Sequence, residues 1–550
     1  MLCSMYSKIE TRVLTGHEDN STPEELEGLY YQIETGVREG SIMSPLLYVL
    51  FIDGLLQELK SRGLGVSIAH RHTLEKTWVG ALMYADDLVM MADTPGELQL
   101  MMDVIAEYAK KWRFQINDGK TKVMCMCESK SQKKQRISIE GWGSTWSCGH
   151  NQICTTTSYV YLGVTLKPDL DFTTHIEQLQ HKLQLQKREA AMLGVHAGGM
   201  PPDLACRLWQ AYVEPKFAYA CGIWMHETNA KAHSVINRVQ CNGARQLLGF
   251  SDIDEAVCAP PPCAALLETQ LKPAHILRVM GLLRFWRIVL SRPKQCMLRR
   301  VWDAIESHHS TSHPMSLNLE VRSLQQKHPI SLGTSVPNPK NKPAWKELIN
   351  GIAKTEMNTW VAEHDAKGGR AHAYCLITHK HMADKRSDTP AYLQDKELRP
   401  NQRRNIALMR TQAAAYVAAH AQHRAGTALY GPAVGYGERY CTQQSCKRRR
   451  IVDSTEHVML KCPSHEPARQ AMVTKADAAL TAAAIGAPHG SNIGSLAAAG
   501  SDARQLQVLL GSPPPLSING DDKHYSAVLQ ASADFIREVY DWRWTDKRTA

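Results

Sequence analysis

The chain has 550 residues, 64 Lys and Arg against 54 Asp and Glu, and a hydrophobic content of 43%. This composition excludes a wholly disordered or collagen-like chain, and the length predicts several domains. The net charge of +10 permits a polyanionic partner without requiring one. No apolar stretch is long enough to span a bilayer, and the first ten residues lack the apolar core of a secretory signal. Fifteen cysteines in so long a chain do not indicate a disulfide scaffold. We therefore expect a soluble intracellular protein, nuclear or cytoplasmic, with no membrane partner.

The first third of the chain mixes strand and helix signals, which predicts an α+β unit. After Pro168 the strand signals largely stop, and apolar positions three and four apart predict helices. The predicted elements, in chain order, are a strand at Tyr30–Ile33, a helix after Pro45, strands on both sides of Tyr84–Asp87, a helix from Pro95 to Trp112, strands around Val123 and at Tyr159–Val164, and helical segments within 173–195, 202–250, 264–290, 344–365 and 402–425.

The most informative motif is Tyr84-Ala85-Asp86-Asp87, two adjacent carboxylates between apolar strands. A buried charge is costly unless it is paired or binds a metal, and Mg²⁺ prefers oxygen ligands. A turn can present such carboxylates to a cation without burying them fully. The tetrapeptide alone is equally consistent with a solvated Asp-Asp turn between two core strands.

A glycine-containing loop, Gly36-Val-Arg-Glu-Gly40-Ser41, lies about forty residues upstream. The glycines permit unusual dihedral angles or close approach of a ligand to the backbone. Ser44 is predicted to N-cap a helix that begins at Pro45. The loop would then lie at a helix N-terminus, which favours a phosphate or nucleotide. The residues of this helix that we expect to be buried are Leu47, Leu50, Phe51, Leu55 and Leu59.

Together these segments resemble the palm of a reverse transcriptase of the non-LTR retrotransposon (LINE) family. Further segments match in the family's order: a loop at Asn117–Lys122, a hairpin at Tyr159–Val164, and thumb-like helical text at Tyr219–Trp224 and Asn237–Gly249. The resemblance implies an α+β fold with a partial palm, made of an antiparallel sheet plus helices, followed by an all-helical thumb and connector and a small zinc-knuckle-like cluster. The domain limits that follow are 1–166 for fingers and palm, 167–295 for the thumb, 296–430 for a linker and connector, 431–470 for the Cys/His cluster, and 471–550 for a partly flexible tail rich in Ala, Gly and Ser.

The resemblance also implies an activity, RNA-directed DNA synthesis by two-metal phosphoryl transfer with Mg²⁺ or Mn²⁺. The partners would be an RNA template, a DNA primer or target, and deoxynucleoside triphosphates. Asp86 and Asp87 would be the palm carboxylates, and Lys120 would act as a general acid for pyrophosphate unless it is an ordinary exposed loop lysine. Template or nucleotide contacts would come from Gly36, Gly40, Ser41, Pro45, Tyr84 and Ala85, and the primer grip from Tyr161, Leu162 and Gly163.

One family segment has no counterpart here. Such polymerases take another metal-binding aspartate from an upstream segment like Phe-x-Asp-x-x-x-Ala-Phe-Asp, whereas the only aspartate in residues 1–35 is Asp19. We therefore expect an N-terminally truncated chain with little or no polymerase activity alone, because a two-metal site depends on its full complement of charge.

A second candidate site is Cys441-x4-Cys446-x10-His457-x4-Cys462, whose ligand types and spacing suit tetrahedral zinc. LINE-type proteins carry a similar cluster after the thumb, although usually with two residues rather than four between the first cysteines. The alternative is four unrelated surface residues.

A basic run lies between the two halves of this cluster: Lys447, Arg448, Arg449 and Arg450. It suits contacts to phosphates without sequence specificity. A nuclear import signal and a solvated loop are the alternatives.

The whole chain has two alternative interpretations besides a working reverse transcriptase. The first is a non-catalytic nucleic-acid-binding remnant of a retrotransposon, and the second is a group II intron maturase. A group II intron maturase shares the palm motifs, but the thumb text and the Cys/His cluster argue against it.

Overall fold

A computed structural model of the chain divides it into two compact units. Unit 1 comprises Met1–Asp171 and Arg292–Ser312, and unit 2 comprises Phe172–Ser291 and His313–Ala550. The residues that the structure describes are 9–12, 30–33, 36–37, 40–126, 146–195, 199–250, 260–308, 316–332, 336–366, 390–395, 397–410, 456–485, 495–510 and 523–540.

The strands all lie in unit 1 and form small separate ladders within the described residues. Four ladders are antiparallel pairs (β1–β2, β3–β4, β5–β6 and β10–β11), and one has three strands in the order β7-β9-β8, with β7 parallel to β9. The expected palm sheet is therefore present as short ladders rather than one broad sheet. The strands are β1 Ile9–Arg12, β2 Tyr30–Ile33, β3 Ser67–Ala69, β4 Lys76–Trp78, β5 Ala81–Tyr84, β6 Asp87–Met90, β7 Lys122–Val123, β8 Trp146–Cys148, β9 Asn151–Thr155, β10 Tyr159–Tyr161 and β11 Val164–Leu166.

Two long helices pack beside these ladders, α1 (Ser44–Ser61) and α2 (Pro95–Trp112). The predicted limits of α2 are confirmed at both ends. Thr94 caps it by accepting a hydrogen bond from the Glu97 amide, and Arg113 ends it in the left-handed conformation. The shared core contains Ile52, Leu55 and Leu59 of α1, together with Met101, Met102 and Ile105 of α2.

The start of α1 differs from the prediction in two respects. Ser44 is the first helical residue rather than the N-cap, and the cap position belongs to Met43, whose side chain makes no capping hydrogen bond. The expected burial of Leu50 is also wrong, because its side chain is 66% exposed. Leu55 and Leu59 are buried as predicted. The apolar side chains of Leu46, Val49 and Leu50 in the first turns of α1 are thus left exposed, whereas its later turns pack in the core.

A third helix of unit 1 comes from a distant part of the sequence. Helix α10 (Met297–Ser307) packs on β3 and β4. The Ser307 hydroxyl accepts a hydrogen bond from the Arg71 amide at 2.9 Å, and Arg300 donates to the Lys76 carbonyl at 3.0 Å. Unit 1 therefore includes a helix that comes after the first helices of unit 2 in the sequence.

The described residues of unit 2 form helices joined by loops, with no strand among them. The helical segments predicted within 173–195, 202–250, 264–290 and 344–365 are confirmed, and the last predicted segment is helical to Arg410. The helices before the Cys/His cluster are α3 Thr173–Met192, α4 Pro202–Tyr212, α5 Glu214–Ala218, α6 Cys221–Trp224, α7 Ala230–Leu247, α8 Pro262–Thr269, α9 Ala274–Ser291, α11 Leu317–Lys327, α12 Pro329–Leu332, α13 Lys342–Ala366, α14 Ala391–Gln394 and α15 Pro400–Arg410.

Large aromatic side chains fill the core of unit 2. Trp209, Trp224 and Trp286 are buried, as their helical spacing indicates. Trp209 also donates to the Gln240 side chain at 2.7 Å, and a Cβ at Gly243 would lie 2.2 Å from its ring. Only glycine fits there, because the indole lies directly against the backbone of α7.

Three further helices follow the Cys/His region: α16 Glu466–Ile485, α17 Asp502–Leu509 and α18 Lys523–Tyr540. Helix α18 packs on both α15 and α16. The buried Arg410 guanidinium binds the Glu268 carboxylate through its Nε and Nη2 atoms and donates to the Leu510 carbonyl at 2.8 Å. The Ala-rich C-terminal segment thus contributes packed helices to unit 2. Among the residues described, no helix combines the length and the apolar character needed to cross a membrane.

Candidate active site

The predicted Asp-Asp turn is the tip of a β-hairpin. Strands β5 and β6 pair in register from Ala81 with Met90 to Tyr84 with Asp87. Ala85 adopts a positive φ of 51°, which lets the chain reverse within two residues. Tyr84, Asp86 and Asp87 are all exposed at this tip, whereas Ala81 is buried at the base. The hairpin therefore presents two carboxylates to solvent from a fixed base.

Two phenols lie within electrostatic range of these carboxylates. Burial raises the pKa of Tyr161, and the nearby negative charge of Asp87 raises it further. Burial likewise raises the pKa of Tyr48, with an additional contribution from Asp86. Tyr161 ends β10, and Tyr48 lies in the second turn of α1. The structure thus brings the predicted grip hairpin, the helix after the glycine loop and the Asp-Asp turn together.

The glycine loop before α1 has the unusual dihedral angles that the sequence indicated. Gly36 and Gly40 have φ values of 94° and 76°, and a Cβ at either would meet no atom within 4 Å. The glycines are thus required for backbone conformation and not by crowding within the chain. The Ser41 hydroxyl accepts a hydrogen bond from the Met43 amide at 3.3 Å, and Pro45 is exposed in the first turn of α1.

The loop that carries Lys120 is ordered by its own side chains. The Asn117 amide oxygen accepts a hydrogen bond from the Lys120 backbone at 3.1 Å, and the Thr121 hydroxyl donates to the Asn117 carbonyl at 2.7 Å. The Lys120 side chain is exposed. This geometry fits both interpretations of Lys120.

The predicted primer-grip segment forms a second antiparallel hairpin, β10–β11. Leu162 and Gly163 make its turn with φ values of 46° and 80°, and Tyr161 pairs with Val164 directly before it. A two-residue turn with positive φ at both positions is the type that closes a tight hairpin.

Half of the Cys/His cluster falls on described residues. His457 and Cys462 are buried at opposite ends of a single π-helical turn, His457–Lys461. The Cys462 amide donates directly to the His457 carbonyl at 2.6 Å. Arg469 of α16 donates from Nε to the Met459 carbonyl at 3.0 Å and from Nη2 to the Cys462 carbonyl. Cys441, Cys446 and the basic run Lys447–Arg450 lie outside the described residues. The described residues contain no group of three or more possible metal ligands.

Comparisons with known proteins identify a reverse-transcriptase domain in the first part of the chain. Residues 12–166 match the family model described as reverse transcriptase (RNA-dependent DNA polymerase). Together with the two relatives that follow, this match supports a reverse-transcriptase domain of the LINE type in this part of the chain. It is similar to an RNA-directed DNA polymerase from the mobile element jockey of Drosophila funebris, with 25% identity over 225 residues. It is also similar to a Pol polyprotein of the type-1 retrotransposable element R2 of Nasonia vitripennis, with 26% identity over 137 residues.

Both similarities are partial. The first covers 40% of this chain and 22% of the relative, and the second covers 25% and 13%. The matched part is thus less than a quarter of either relative's length. The Asp-Asp hairpin lies within residues 12–166, the part of the chain that matches the family model.

Two residues of this region were missed by reasoning from the sequence. Tyr48 carries no signal of a functional role in the sequence, because an aromatic residue in an apolar helix is ordinarily a core residue. Glu97 had one visible signal, its position three residues after Thr94, which is the spacing of a capping box. The Glu97 carboxylate also accepts a hydrogen bond from the Gly65 amide, and a contact between residues 32 positions apart leaves no local pattern in the sequence.

Proposed function

We propose that the reverse-transcriptase domain of this chain supports RNA-templated DNA synthesis by phosphoryl transfer at Asp86 and Asp87. The observation that carries the proposal is the hairpin tip, which presents both carboxylates to solvent within electrostatic range of Tyr48 and Tyr161. Exposed carboxylate oxygens are suitable ligands for a hard cation, so the donor set fits Mg²⁺ or Mn²⁺. A bound cation would supply neutralisation of the charge that develops on the phosphoryl oxygens.

The chain's own residues would then orient the reactants. Tyr84 and Ala85 would contact the primer terminus, and the β10–β11 turn at Tyr161–Gly163 would support the primer strand. The loop at Gly36, Gly40 and Ser41, with Pro45, would contact the template base or incoming nucleotide. Lys120 would transfer a proton to the departing pyrophosphate. The substrates are therefore an RNA template, a DNA primer and deoxynucleoside triphosphates.

The 550-residue polypeptide alone should extend primers poorly. Its sequence contains no segment like Phe-x-Asp-x-x-x-Ala-Phe-Asp, so the hairpin supplies two carboxylates without a third from such a strand. Loss of one ligand from a two-metal site removes charge stabilisation that the transition state requires. The second candidate function is a non-catalytic nucleic-acid-binding remnant. The lack of a third carboxylate in this sequence favours it.

The decisive experiment measures Mn²⁺ binding and primer extension with the purified chain and two variants. Asp86→Asn should abolish Mn²⁺ binding, and Asp53→Asn, which changes an exposed aspartate of α1, should leave it unchanged. Equal binding by all three proteins would refute the cation site. Extension that is clear and depends on Asp86 would refute the poor activity of the chain alone. RNA binding without any Asp86-dependent binding of Mn²⁺ would favour the remnant.

The Cys/His cluster is proposed as a zinc site made of Cys441, Cys446, His457 and Cys462. The support is chemical, since a buried imidazole and a buried thiol lie at the two ends of one turn. The intervening Lys447–Arg450 would contact phosphates. Replacing all four basic residues with Ala should weaken RNA binding and reduce its salt dependence. An unchanged salt slope would eliminate phosphate contact and leave nuclear import or a solvated loop.

A further inference from the structure

The side chain of Glu97 joins two backbone segments that are far apart in sequence. Its Oε1 accepts a hydrogen bond from the Gly65 amide at 2.7 Å, and its Oε2 accepts one from the Asp93 amide at 3.0 Å. Asp93 lies between β6 and α2, and Gly65 precedes β3. One carboxylate thus connects the exit of the Asp-Asp hairpin to a segment beside its base.

This segment supports the hairpin directly. The Met91 amide donates to the Gly80 carbonyl at 2.7 Å and closes the base, and the Val66 amide donates to the Met91 carbonyl at 3.1 Å. Gly65 and Gly80 are in backbone contact, since a Cβ on either would lie 2.6 Å from the Cα of the other. Residues 65 and 66 therefore lie against the base of the hairpin, with no space for a Cβ at position 65 or 80.

The hairpin needs such support because it is small. A two-stranded hairpin is marginally stable by itself, and β5 and β6 contribute only four residues each. Residues 84–87 are all exposed at the tip. The direction in which Asp86 and Asp87 point is consequently set by the fixed base and not by packing around the carboxylates.

We propose that Glu97 is a positioning residue of the active site, whose carboxylate fixes the base of the hairpin that carries Asp86 and Asp87. The inference rests on the proposed function in that the hairpin carboxylates are taken as the cation site. Each carboxylate oxygen of Glu97 accepts a hydrogen bond from a different amide, Gly65 or Asp93, and we call this pair of hydrogen bonds the clamp. The clamp requires both acceptor oxygens of the carboxylate.

A simple helix-capping role would give a different contact pattern. In a capping box the third helical residue returns its side chain to the amide of the N-cap residue. Here the N-cap is Thr94, whose hydroxyl accepts from the Glu97 amide at 3.2 Å, while the Glu97 carboxylate reaches Asp93 and Gly65 instead. Capping and clamping can therefore be separated by substitution.

The test compares three proteins: the wild type, Glu97→Gln and Thr94→Ala. Gln keeps one acceptor oxygen and nearly the same volume, so it should break one arm of the clamp and leave the cap. Thr94→Ala should weaken the same helix terminus and leave the clamp. Amide hydrogen exchange of residues 81–91, followed by mass spectrometry, reports the hairpin; Mn²⁺ affinity reports its carboxylates.

We expect Glu97→Gln to accelerate exchange in 81–91 by about tenfold and to weaken Mn²⁺ binding by about tenfold, the lower end of the range for groups that support metal ligands. Thr94→Ala should change neither by more than about twofold. Similar exchange in Glu97→Gln and the wild type, or equal effects of the two substitutions, would overturn the inference. If the wild type binds no Mn²⁺, the cation-site proposal fails, and the exchange measurement alone decides whether Glu97 holds the hairpin.

Discussion

The hydroxyl of Tyr108 lies beside Gly54, so that a Cβ on Gly54 would be 2.8 Å from the phenolic oxygen. This contact joins α1 to α2, and the same hydroxyl donates to the Phe51 carbonyl at 3.1 Å. The side chain of Tyr108 is 4% exposed and therefore has little room to move. The helix that follows the glycine loop is held against α2 at the one position where it lacks a side chain.

Gly54→Ala should destabilise unit 1 by about 1–2 kcal/mol, because overpacking costs about 1–3 kcal/mol and the gain in helix propensity offsets up to about 1 kcal/mol. In the background of Tyr108→Phe the clashing oxygen is absent, and the next ring atom would be 3.6 Å away. The same substitution should then be close to neutral. Urea unfolding of the four proteins in this double-mutant cycle checks the expectation; equal losses in both backgrounds would contradict it.

The buried pair of Arg410 and Glu268 predicts a strongly asymmetric response to substitution. Arg410→Met should destabilise unit 2 by about 3–5 kcal/mol, because it leaves the Glu268 carboxylate in the interior without the guanidinium. Combining it with Glu268→Gln should recover much of that loss, since Gln carries no charge and still accepts from the Tyr392 hydroxyl, now 2.8 Å from the carboxylate. Chemical denaturation measures both; a double variant no more stable than Arg410→Met would argue against an electrostatic cause.

Burial lowers the pKa of His275 to about 4, well below its ordinary value of 6.5. The unfolded chain therefore binds a proton at higher pH than the folded chain does. The contribution of His275 to the free energy of unfolding is therefore fully present above about pH 6.5. It falls as the pH decreases toward 4, and the total loss is at most about 3 kcal/mol.

His275→Phe should flatten the pH dependence of unfolding between pH 6.5 and 4, whereas His181→Asn, which changes an exposed histidine of α3, should not. The Trp360 ring lies 6.2 Å from the His275 ring, so tryptophan fluorescence provides a nearby probe of unfolding. The same slope in His275→Phe and in the wild type would assign the acid sensitivity to other groups.

The zinc proposal predicts a specific effect of Arg469, whose guanidinium donates to the carbonyls of Met459 and Cys462. Arg469→Met should weaken zinc binding by about 10–100-fold, because outer groups that orient metal ligands contribute on this scale. Lys461→Met removes a positive charge from the same turn, but an exposed one, and should have a small effect. Competition with a chromogenic chelator measures both affinities. Equal losses would indicate a general charge effect, and an absence of zinc binding by the wild type would refute the site.

Much of the local structure of unit 1 could be predicted from the sequence. Thr94, Pro95 and Glu97 are strong helix-start signals, and the start of α2 follows from them. The Asp-Asp hairpin was predicted from the apolar strands on each side of a short polar turn, and the hairpin at Tyr159–Val164 from the family resemblance. The first turns of α1 were harder to predict. Leu46, Val49 and Leu50 have core-like spacing, yet all three are exposed, and hydrophobic spacing alone does not say whether a neighbour covers a face.

The contacts that complete the site could not be predicted, because they join residues distant in sequence. Glu97 reaches Gly65 across 32 positions, and Tyr161 lies near Asp87 after an intervening helix and several strands. Periodicity and capping signals act within one or two turns of chain and carry no information about such pairs. The return of residues 292–312 to unit 1 was missed for the same reason, since α10 reads as one more amphipathic helix in a helical region.

That return has a consequence for how the protein is made. A ribosome releases residues 1–171 well before residues 292–312, and the whole first part of unit 2 emerges in between. Until then, the backbone of Ala69 and Arg71 lacks the hydrogen bonds that His308 and Ser307 later supply. Unit 1 can therefore reach its final form only after residues 292–308 have been synthesised, and until then these backbone groups are exposed to other partners. Translation speed through residues 172–291 sets the length of that exposure.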